Sequence, residues 1–405
     1  MTDFFPLGDI TELITKGTTP STLGGGFMSS GINFIKVESI SDGGVILKEK
    51  LAYIDEATHA KLARSILRKD DILFSIAGAI GRTTRVAESV LPANTNQALA
   101  IIRVNQSKAC VDYVHQCVQG DAFIKTCSDK SVKSAQANVS LGSMAKARLY
   151  LPPLAEQRRI AEILRTWDEA TETAEAELKA KQGRKRGLTK KLLMPSAEGD
   201  GALRMNCWDV YKICELCDVI TGSTPSRTNS EYWNGGSIPW FTVDDIRKGG
   251  RAIHNTIQHV TEKAVKESSL RLMPADTVLL CCTASVGEYA ITRLPITSNQ
   301  QFNGLVIKSE FKDKLSADFL FNVASTLKEK LKAFCGKTSV DFVSGSNLKS
   351  IQIPLPPLAE QRKIAEILQG ADSDIETINH RIESLRTQKR GLMQKLLTGE
   401  VRVAA

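Results

Sequence analysis

No run in the 405-residue chain approaches the ~18 apolar residues that a membrane span needs. The opening MTDFFPLGDI also lacks the basic and apolar regions of a secretory signal. These absences set aside the membrane and secreted classes and predict a cytoplasmic protein. Catalytic signatures are missing too. No G-x-G-x-x-G follows a predicted strand, and Cys335-Gly336-Lys337-Thr338 has Leu331 where a phosphate-binding loop needs its first glycine. No Asn-Pro-Pro-Tyr or Asp-Pro-Pro-Tyr stretch is present to hold an adenine amino group for methylation. The five histidines (His59, His115, His254, His259, His380) are scattered without a nucleophile or ligand set around them. Asp244-Asp245 is better suited to a turn or a base contact than to a metal. Nine cysteines, an odd number without an export signal, read as reduced thiols. Cys214-x-x-Cys217 is the only CxxC and has no second pair at zinc-ligand spacing, while Cys281 and Cys282 in TVLLCCTA read as buried strand residues.

What is present is basic charge and repetition. Lys and Arg number 53 against 45 Asp and Glu, a net +8 that favours a polyanionic partner. Hydrophobic residues at 42% and charged residues at 24% describe a globular chain. At about 150 residues per domain its length predicts two or three domains.

The chain is written twice. LPPLAEQRRIAEIL (151–164) recurs as LPPLAEQRKIAEIL (355–368), a shift of 204, and the same shift carries KRGLTKKLL (185–193) onto KRGLMQKLL (389–397). Equal spacing with a freer interior is the mark of a rigid helix. The remaining halves match more loosely: GTTPS with GSTPS (222–226), INFIKVESISDGG (32–44) with IPWFTVDDIRKGG (238–250), DDILFSIAGAIG with DTVLLCCTASVG, and TNQ (95–97) with SNQ (298–300). Their offsets drift from 206 to 203, as loops with short insertions do. Two similar variable modules thus alternate with two nearly identical segments: residues 1–150, 151–195, 196–354 and 355–405.

The repeated segments predict helices of about 40 residues, roughly 60 Å at 1.5 Å per residue, opened by Pro-Pro. In the second, Ile364, Leu368, Ala371, Ile375, Ile378, Ile382 and Leu385 step by fours and threes, a coiled-coil seam continuing through Leu392 and Leu396. The first keeps the phase with Ile160, Leu164, Trp167, Ala174, Leu178, Leu188 and Leu192, weakened at Thr171 and Lys181. A lone helix cannot bury such a seam. The economical solution is antiparallel pairing of the two copies about a pseudo-twofold; the alternative is two helices docked separately on their own modules. The modules read as mixed α/β, mainly strand, with helical stretches at 113–127 and 317–334 and a flexible linker at 196–204. Among the candidate folds this predicts two similar α/β recognition domains separated by two long helices.

The order module–helix–module–helix, the LPPLAEQR-x-IAEIL openings, the KRGL-x-x-KLL ends and the terminal LLTGEVRV resemble the specificity subunit of type I restriction-modification systems, a bacterial defence family. The resemblance covers essentially the whole chain. It implies two target recognition domains, each reading half of a bipartite double-stranded DNA sequence. The paired helices would set the gap and dock two methyltransferase subunits. S-adenosylmethionine would belong to those subunits, and ATP and magnesium to restriction/translocase subunits, with no catalysis in this chain. The first module begins almost at residue 1, so any closing contact between the chain ends falls to the C-terminal tail.

Base edges need donors and acceptors; phosphates need cations or amides. The candidates in the first module are Lys16, Thr18, Thr19 and Ser21, then Asn33 and Lys36, Arg82 and Arg85, and Ser134, Gln136 and Asn138. In the second they are Thr224, Ser226, Arg227, Thr242, Asp245, Arg247, Lys248, Ser285 and Tyr289, with Lys337 and Thr338. Against this, Thr-Pro-Ser and Gly-Gly are ordinary turn chemistry, the Asn-Gln pairs (Asn96-Gln97, Asn299-Gln300) also suit structural hydrogen bonds, and Trp233 and Trp240 read as packing. The basic helix ends (Lys185, Arg186, Lys190, Lys191; Lys389, Arg390, Lys395) suit either the helix dipole or a partner. Without the resemblance, a protein-binding coiled-coil scaffold and a self-contained nuclease or methyltransferase would remain open.

Overall fold

The structure, a computed structural model, describes residues 3–127, 139–193, 208–335 and 341–404. They form two compact units: Met1–Ala176 with His380–Ala405, and Glu177–Asn379.

In the first unit a four-stranded antiparallel sheet runs in the order Thr11–Lys16, Leu99–Val104, Ile72–Ser75, Thr83–Arg85. Its two faces are both covered, which is why DDILFS and LAIIRV read as continuous apolar runs. Ile72, Phe74, Ala100 and Ile102 pack against Tyr113, Val114, Cys117 and Phe123, from the helices Val111–Gln119 and Asp121–Cys127. Leu73, Leu99 and Ile101, pointing the other way as strand alternation requires, pack against Ile35, Ile40 and Val86. Beyond them lies a three-stranded sheet in which Ile32–Ile35 is antiparallel to Ala52–Ile54 and parallel to Ala93–Thr95.

The second unit repeats the plan. Cys217–Thr221, Phe302–Ile307, Val278–Cys281 and Tyr289–Thr292 form the same antiparallel order, extended by the parallel strand Ala252–Ile253. Ile238–Phe241 is again antiparallel to one neighbour, Gln258–Val260, and parallel to the other, Thr297–Ser298. The repetition reaches the backbone: Asp70 and Asp276, which open equivalent strands, both take the left-handed conformation at φ 69° and 60°. Cys281 and Cys282 are buried.

The repeated segments are helices, Leu154–Leu193 and Leu358–Leu396. Each unit contains the opening half of one and the closing half of the other. In the first unit Ile160 and Leu164 join the module core together with Leu392, Met393 and Leu396. In the second, Ile364 and Leu368 join theirs with Leu188, Leu192 and Leu193. Pairing and docking are therefore not alternatives; the same residues do both. Charges fix the direction. Asp168 meets Lys389 at 2.6 Å and Glu175 meets Arg386 at 2.7 Å in the first unit. Lys181 meets Asp374 at 2.6 Å and Lys185 meets Asp372 in the second. Residue numbers rise on one helix as they fall on the other, so the pairing is antiparallel.

Of the seam residues, Ile160, Leu164, Ala174, Ile364, Leu368, Ile378 and Ile382 are buried. Trp167, Leu178, Ala371, Ile375 and Leu385 are partly buried. The two polar seam positions are accommodated: the Thr171 hydroxyl donates to the Trp167 carbonyl of its own helix, and Lys181 takes its ion pair.

A buried glutamine clamps each helix opening to its module. Gln157 donates to the Pro152 carbonyl at 2.7 Å and accepts from the Cys110 amide at 2.8 Å, where helix Val111–Gln119 begins. Gln361, one repeat later, donates to the Pro356 and Lys314 carbonyls and accepts from the Ser316 amide at 2.8 Å, at the start of helix Ala317–Ala324. The C-terminal tail closes on the first unit. Arg402 forks onto Glu156 at 2.8 and 2.9 Å, and the Val403 amide adds a bond to the same carboxylate. Glu156 has its pKa held down by Arg402, whose own is raised in return.

Candidate nucleic-acid interface

The best-repeated loop chemistry lies where the first sheet strand of each module ends. Gly17 follows Thr11–Lys16, and a side chain there would sit 2.1 Å from the Thr95 carbonyl oxygen. Gly222 follows Cys217–Thr221, with the Asn299 carbonyl at the same 2.1 Å. Only glycine permits this close approach. The loop is then stitched to the Asn-Gln segment: Thr18 N–H donates to Thr95 O at 3.0 Å, and Ser223 N–H to Ser298 O at 2.8 Å. The Thr19 hydroxyl donates to the Gln97 side chain and that of Thr224 to Gln300. GTTPS/TNQ and GSTPS/SNQ are thus one device built twice, leaving Gln97 and Gln300 exposed.

Two arginines that sequence reading passed over flank these clasps. Arg64 donates to Thr18 Oγ1 at 3.1 Å. Arg271 borders a cleft of about 570 Å³ with Ser223, Thr224 and Gln300. Both follow a short helix in an unremarkable sequence, and only the fold brings them to the loop.

A second shared arrangement is an aromatic pair carrying a cation. Phe27 and Phe34 meet in a T-shape at 5.3 Å, with the Lys36 ammonium 4.3 Å from the Phe27 ring. Trp233 and Trp240 meet in a T-shape at 5.1 Å, with the Arg227 guanidinium 3.7 Å from Trp233 and 4.8 Å from Trp240. Arg227 also donates to the Gln258 side chain at 2.7 Å. The tryptophans are packed as expected, but as the seat of an exposed arginine; their own ring N–H groups donate to Ser226 O and Ser223 O.

The other candidates are placed as follows. Lys16, Ser21, Ser226 and Lys248 are exposed, and Ser226 shares a hydrogen bond with Thr228. Four candidates, Asn33, Thr242, Asp245 and Tyr289, are tied into the fold. Asn33 donates to the Val90 carbonyl at 2.8 Å. Asp245 is buried; it accepts from the Thr242 amide and hydroxyl through one oxygen and from the Ile257 amide through the other, so Thr242 and Asp245 cap a helix. Tyr289 packs on Phe321 at 5.2 Å under the Arg251 guanidinium. Ser285 lies in the partly buried turn before it, and its carbonyl accepts from the Glu288 amide. Arg82 pairs with Asp42 and with the Ile40 carbonyl, Arg85 with Asp112, and Arg247 with Asp244. Ser134, Gln136, Asn138, Lys337 and Thr338 lie outside the described residues.

The units differ under their helices. In the first, a cavity of about 1530 Å³ opens beside Thr83, His115, Asp168 and Lys389. In the second, Tyr289 and Phe321 occupy the positions equivalent to Thr83 and His115. His115 is crowded but keeps an edge on the cavity; burial, aided by Arg85 and Lys389, pushes its pKa down to about 4. Among the described residues, no group of three or more His, Cys, Asp or Glu is placed to hold a metal ion, and no helix is long and apolar enough to cross a membrane.

Residues 2–181 and 205–387 each match the type I restriction modification DNA specificity domain. Over 98% of this chain and 93% of the relative, the sequence is 25% identical to the putative type I restriction enzyme MjaX specificity subunit of Methanocaldococcus jannaschii. It is 40% identical to the MjaIX specificity subunit of the same organism over 172 residues, a stretch spanning only 39% of that relative. The S subunit of a type I restriction-modification system from M. genitalium shares the fold at a TM-score of 0.58 and 14% identity, covering 97% of this chain and 95% of that one. A chain from a type I system studied for complex assembly and conformational transition gives the same score at 18% identity, covering 98% of both. With two matched domains taking up most of its length, the chain belongs to the type I restriction-modification DNA specificity family.

Proposed function

We propose that this chain is the DNA-reading subunit of a methylating and restricting complex, each module reading one half of a split duplex target. The observation that carries the reading is the duplicated loop clasp, Gly17–Thr19 on Gln97 and Gly222–Thr224 on Gln300. It places exposed hydrogen-bonding side chains at equivalent points of two modules, each with an arginine nearby. A net charge of +8 supports a polyanionic ligand. The antiparallel helices set the gap between the half-sites, and their outward faces dock two methyltransferase subunits. S-adenosylmethionine resides in those subunits, and ATP and magnesium in the restriction/translocase subunits, while this chain contributes recognition and no chemistry.

Mapping adenine methylation in cells with and without this chain, its methyltransferase present in both, tests the reading. A split motif that depends on the chain is expected; methylation that ignores it sinks the proposal. Four residues inserted into each long helix, beside Ala174 and Ile378, lengthen the spacer by about 6 Å. The gap is then expected to grow by about two base pairs.

A further inference from the structure

The loop clasps are nearly identical in the two modules and so cannot tell two different half-sites apart. The cations on the aromatic pairs can. Phe34 and Trp240 hold the same strand position, each paired to a parallel and an antiparallel neighbour, and Phe27 and Trp233 precede them by seven residues. The seat is therefore inherited by both modules, yet the cation reaches it from different points of the chain. Lys36 stands where the second copy has Thr242, and Arg227 stands where the first has Thr22. One seat, filled independently by two chemistries, is what selection for two different bases would leave.

Arg227 also differs from those module arginines that are committed to ion pairs. Arg82, Arg85, Arg247, Arg251 and Arg293 each pair with a carboxylate. Among the described residues no carboxylate pairs with Arg227; its guanidinium carbon sits 3.7 Å over the Trp233 ring and one nitrogen donates to Gln258, with the side chain exposed. Holding a guanidinium by stacking orients its fork while leaving its charge uncancelled. That is the preparation a planar, bidentate contact needs and a diffuse phosphate contact does not.

Resting on the reading of both modules as DNA readers, we propose that the ring-seated cations are their base-specific groups. Arg227 takes the O6 and N7 acceptors of a guanine in the major groove of the second module's half-site. Lys36, a point donor with no fork whose pairing with Glu38 is long at 3.8 Å, takes a single acceptor in the first module's half-site. Trp233 is a positioning residue that acts through Arg227.

The test is selection from a randomised double-stranded DNA library by the full chain together with its methyltransferase, comparing the wild type with Arg227→Lys, Arg227→Ala, Lys36→Ala and Trp233→Leu. The wild type first establishes the split motif; its absence would count against the parent reading rather than against these residues. Given the motif, Arg227→Ala is expected to lower discrimination about ten-fold or more at one guanine of one half. Arg227→Lys is expected to relax that same position although it keeps the charge, and Trp233→Leu to do likewise. Lys36→Ala is expected to alter one position in the other half only. Three outcomes overturn the proposal: an unchanged motif; Arg227 and Lys36 acting on the same half; or uniform weakening across sequences, with a shallower salt dependence, that Arg227→Lys restores. The last places Arg227 on a phosphate.

Discussion

Lys389 reaches Asp168 at 2.6 Å, and one repeat away Lys185 reaches Asp372, so the two long helices make the same bond twice with the roles of the helices exchanged. Of the basic helix-end residues that suited the dipole or a partner in sequence terms, Lys185 and Lys389 are committed to joining the helices.

The two bonds are not equal in weight. Lys389 is only 14% exposed, and Asp168 also accepts from the largely buried Gln116 at 2.9 Å. Solvent-exposed pairs contribute about 0–1 kcal/mol. Stranding the Gln116 amide as well makes Asp168→Ala more costly than Asp372→Ala, by about 1–2 kcal/mol. Urea denaturation of the two variants measures the difference, and equal midpoints would show that Gln116 finds another partner. Exchanging charges, Asp168→Lys with Lys389→Asp, is expected to recover part of the loss from either change alone.

Removing a clamp leaves buried backbone groups unpaired. Gln157→Leu and Gln361→Leu are each expected to cost about 2–3 kcal/mol. Because each clamp serves its own unit, the double variant should lose close to the sum. Calorimetry would reveal a shortfall from additivity as coupling between the units.

Gly17→Ala drives a methyl group onto the Thr95 and Asn96 carbonyls, and Gly222→Ala does the same at Ser298 and Asn299. Backbone on the far side cannot swing away, so each change is expected to cost about 1–3 kcal/mol locally. Methylation mapping should show degraded selectivity at one half-site for each variant, and at a different half for the two. If both variants degrade the same half, the clasps are not module-specific.

Acid should loosen the first unit in two stages. His115 titrates near 6.5 when unfolded but is pushed down to about 4 in the fold, so protons favour the unfolded chain between those values. Its neutral form contributes stability above pH 6.5 that is lost as pH falls toward 4. Glu156 is also depressed in the fold, by Arg402 first, so its contribution is complete above the ordinary glutamate range and fades below it. Thermal melting across pH 3–8 is expected to lose the first stage in His115→Phe and the second in Glu156→Gln. An unaltered profile in both would remove these groups as the cause.

The helices were readable because the repeat had constant spacing and its apolar steps kept one phase, and burial follows that seam from Ile160 to Leu178 and from Ile364 to Leu385. Strand runs were readable too, since both faces of the central antiparallel sheet in each unit are covered. Function was harder to place residue by residue. A carboxylate that caps a helix and one that accepts from a base are the same letter, and Asp245 is the first kind. Arg64 and Arg271 carry no motif and reach the loops only through the fold. Gln157 and Gln361 sat inside the most repeated string of all, yet nothing in that string says that their side-chain oxygens accept from main-chain amides of another segment, at Cys110 and Ser316.

Those partners have an evolutionary consequence. Every bond Gln157 and Gln361 make runs to a backbone amide or carbonyl, at Cys110, Pro152, Lys314, Ser316 and Pro356. A socket that grips only main-chain atoms places no demand on the side chains of the module it holds. A module of foreign ancestry then needs a helix start at the right place and an apolar core for Ile160 and Leu164, or Ile364 and Leu368, to enter, so genetic exchange at the two near-identical openings could swap modules while the scaffold stays as it was.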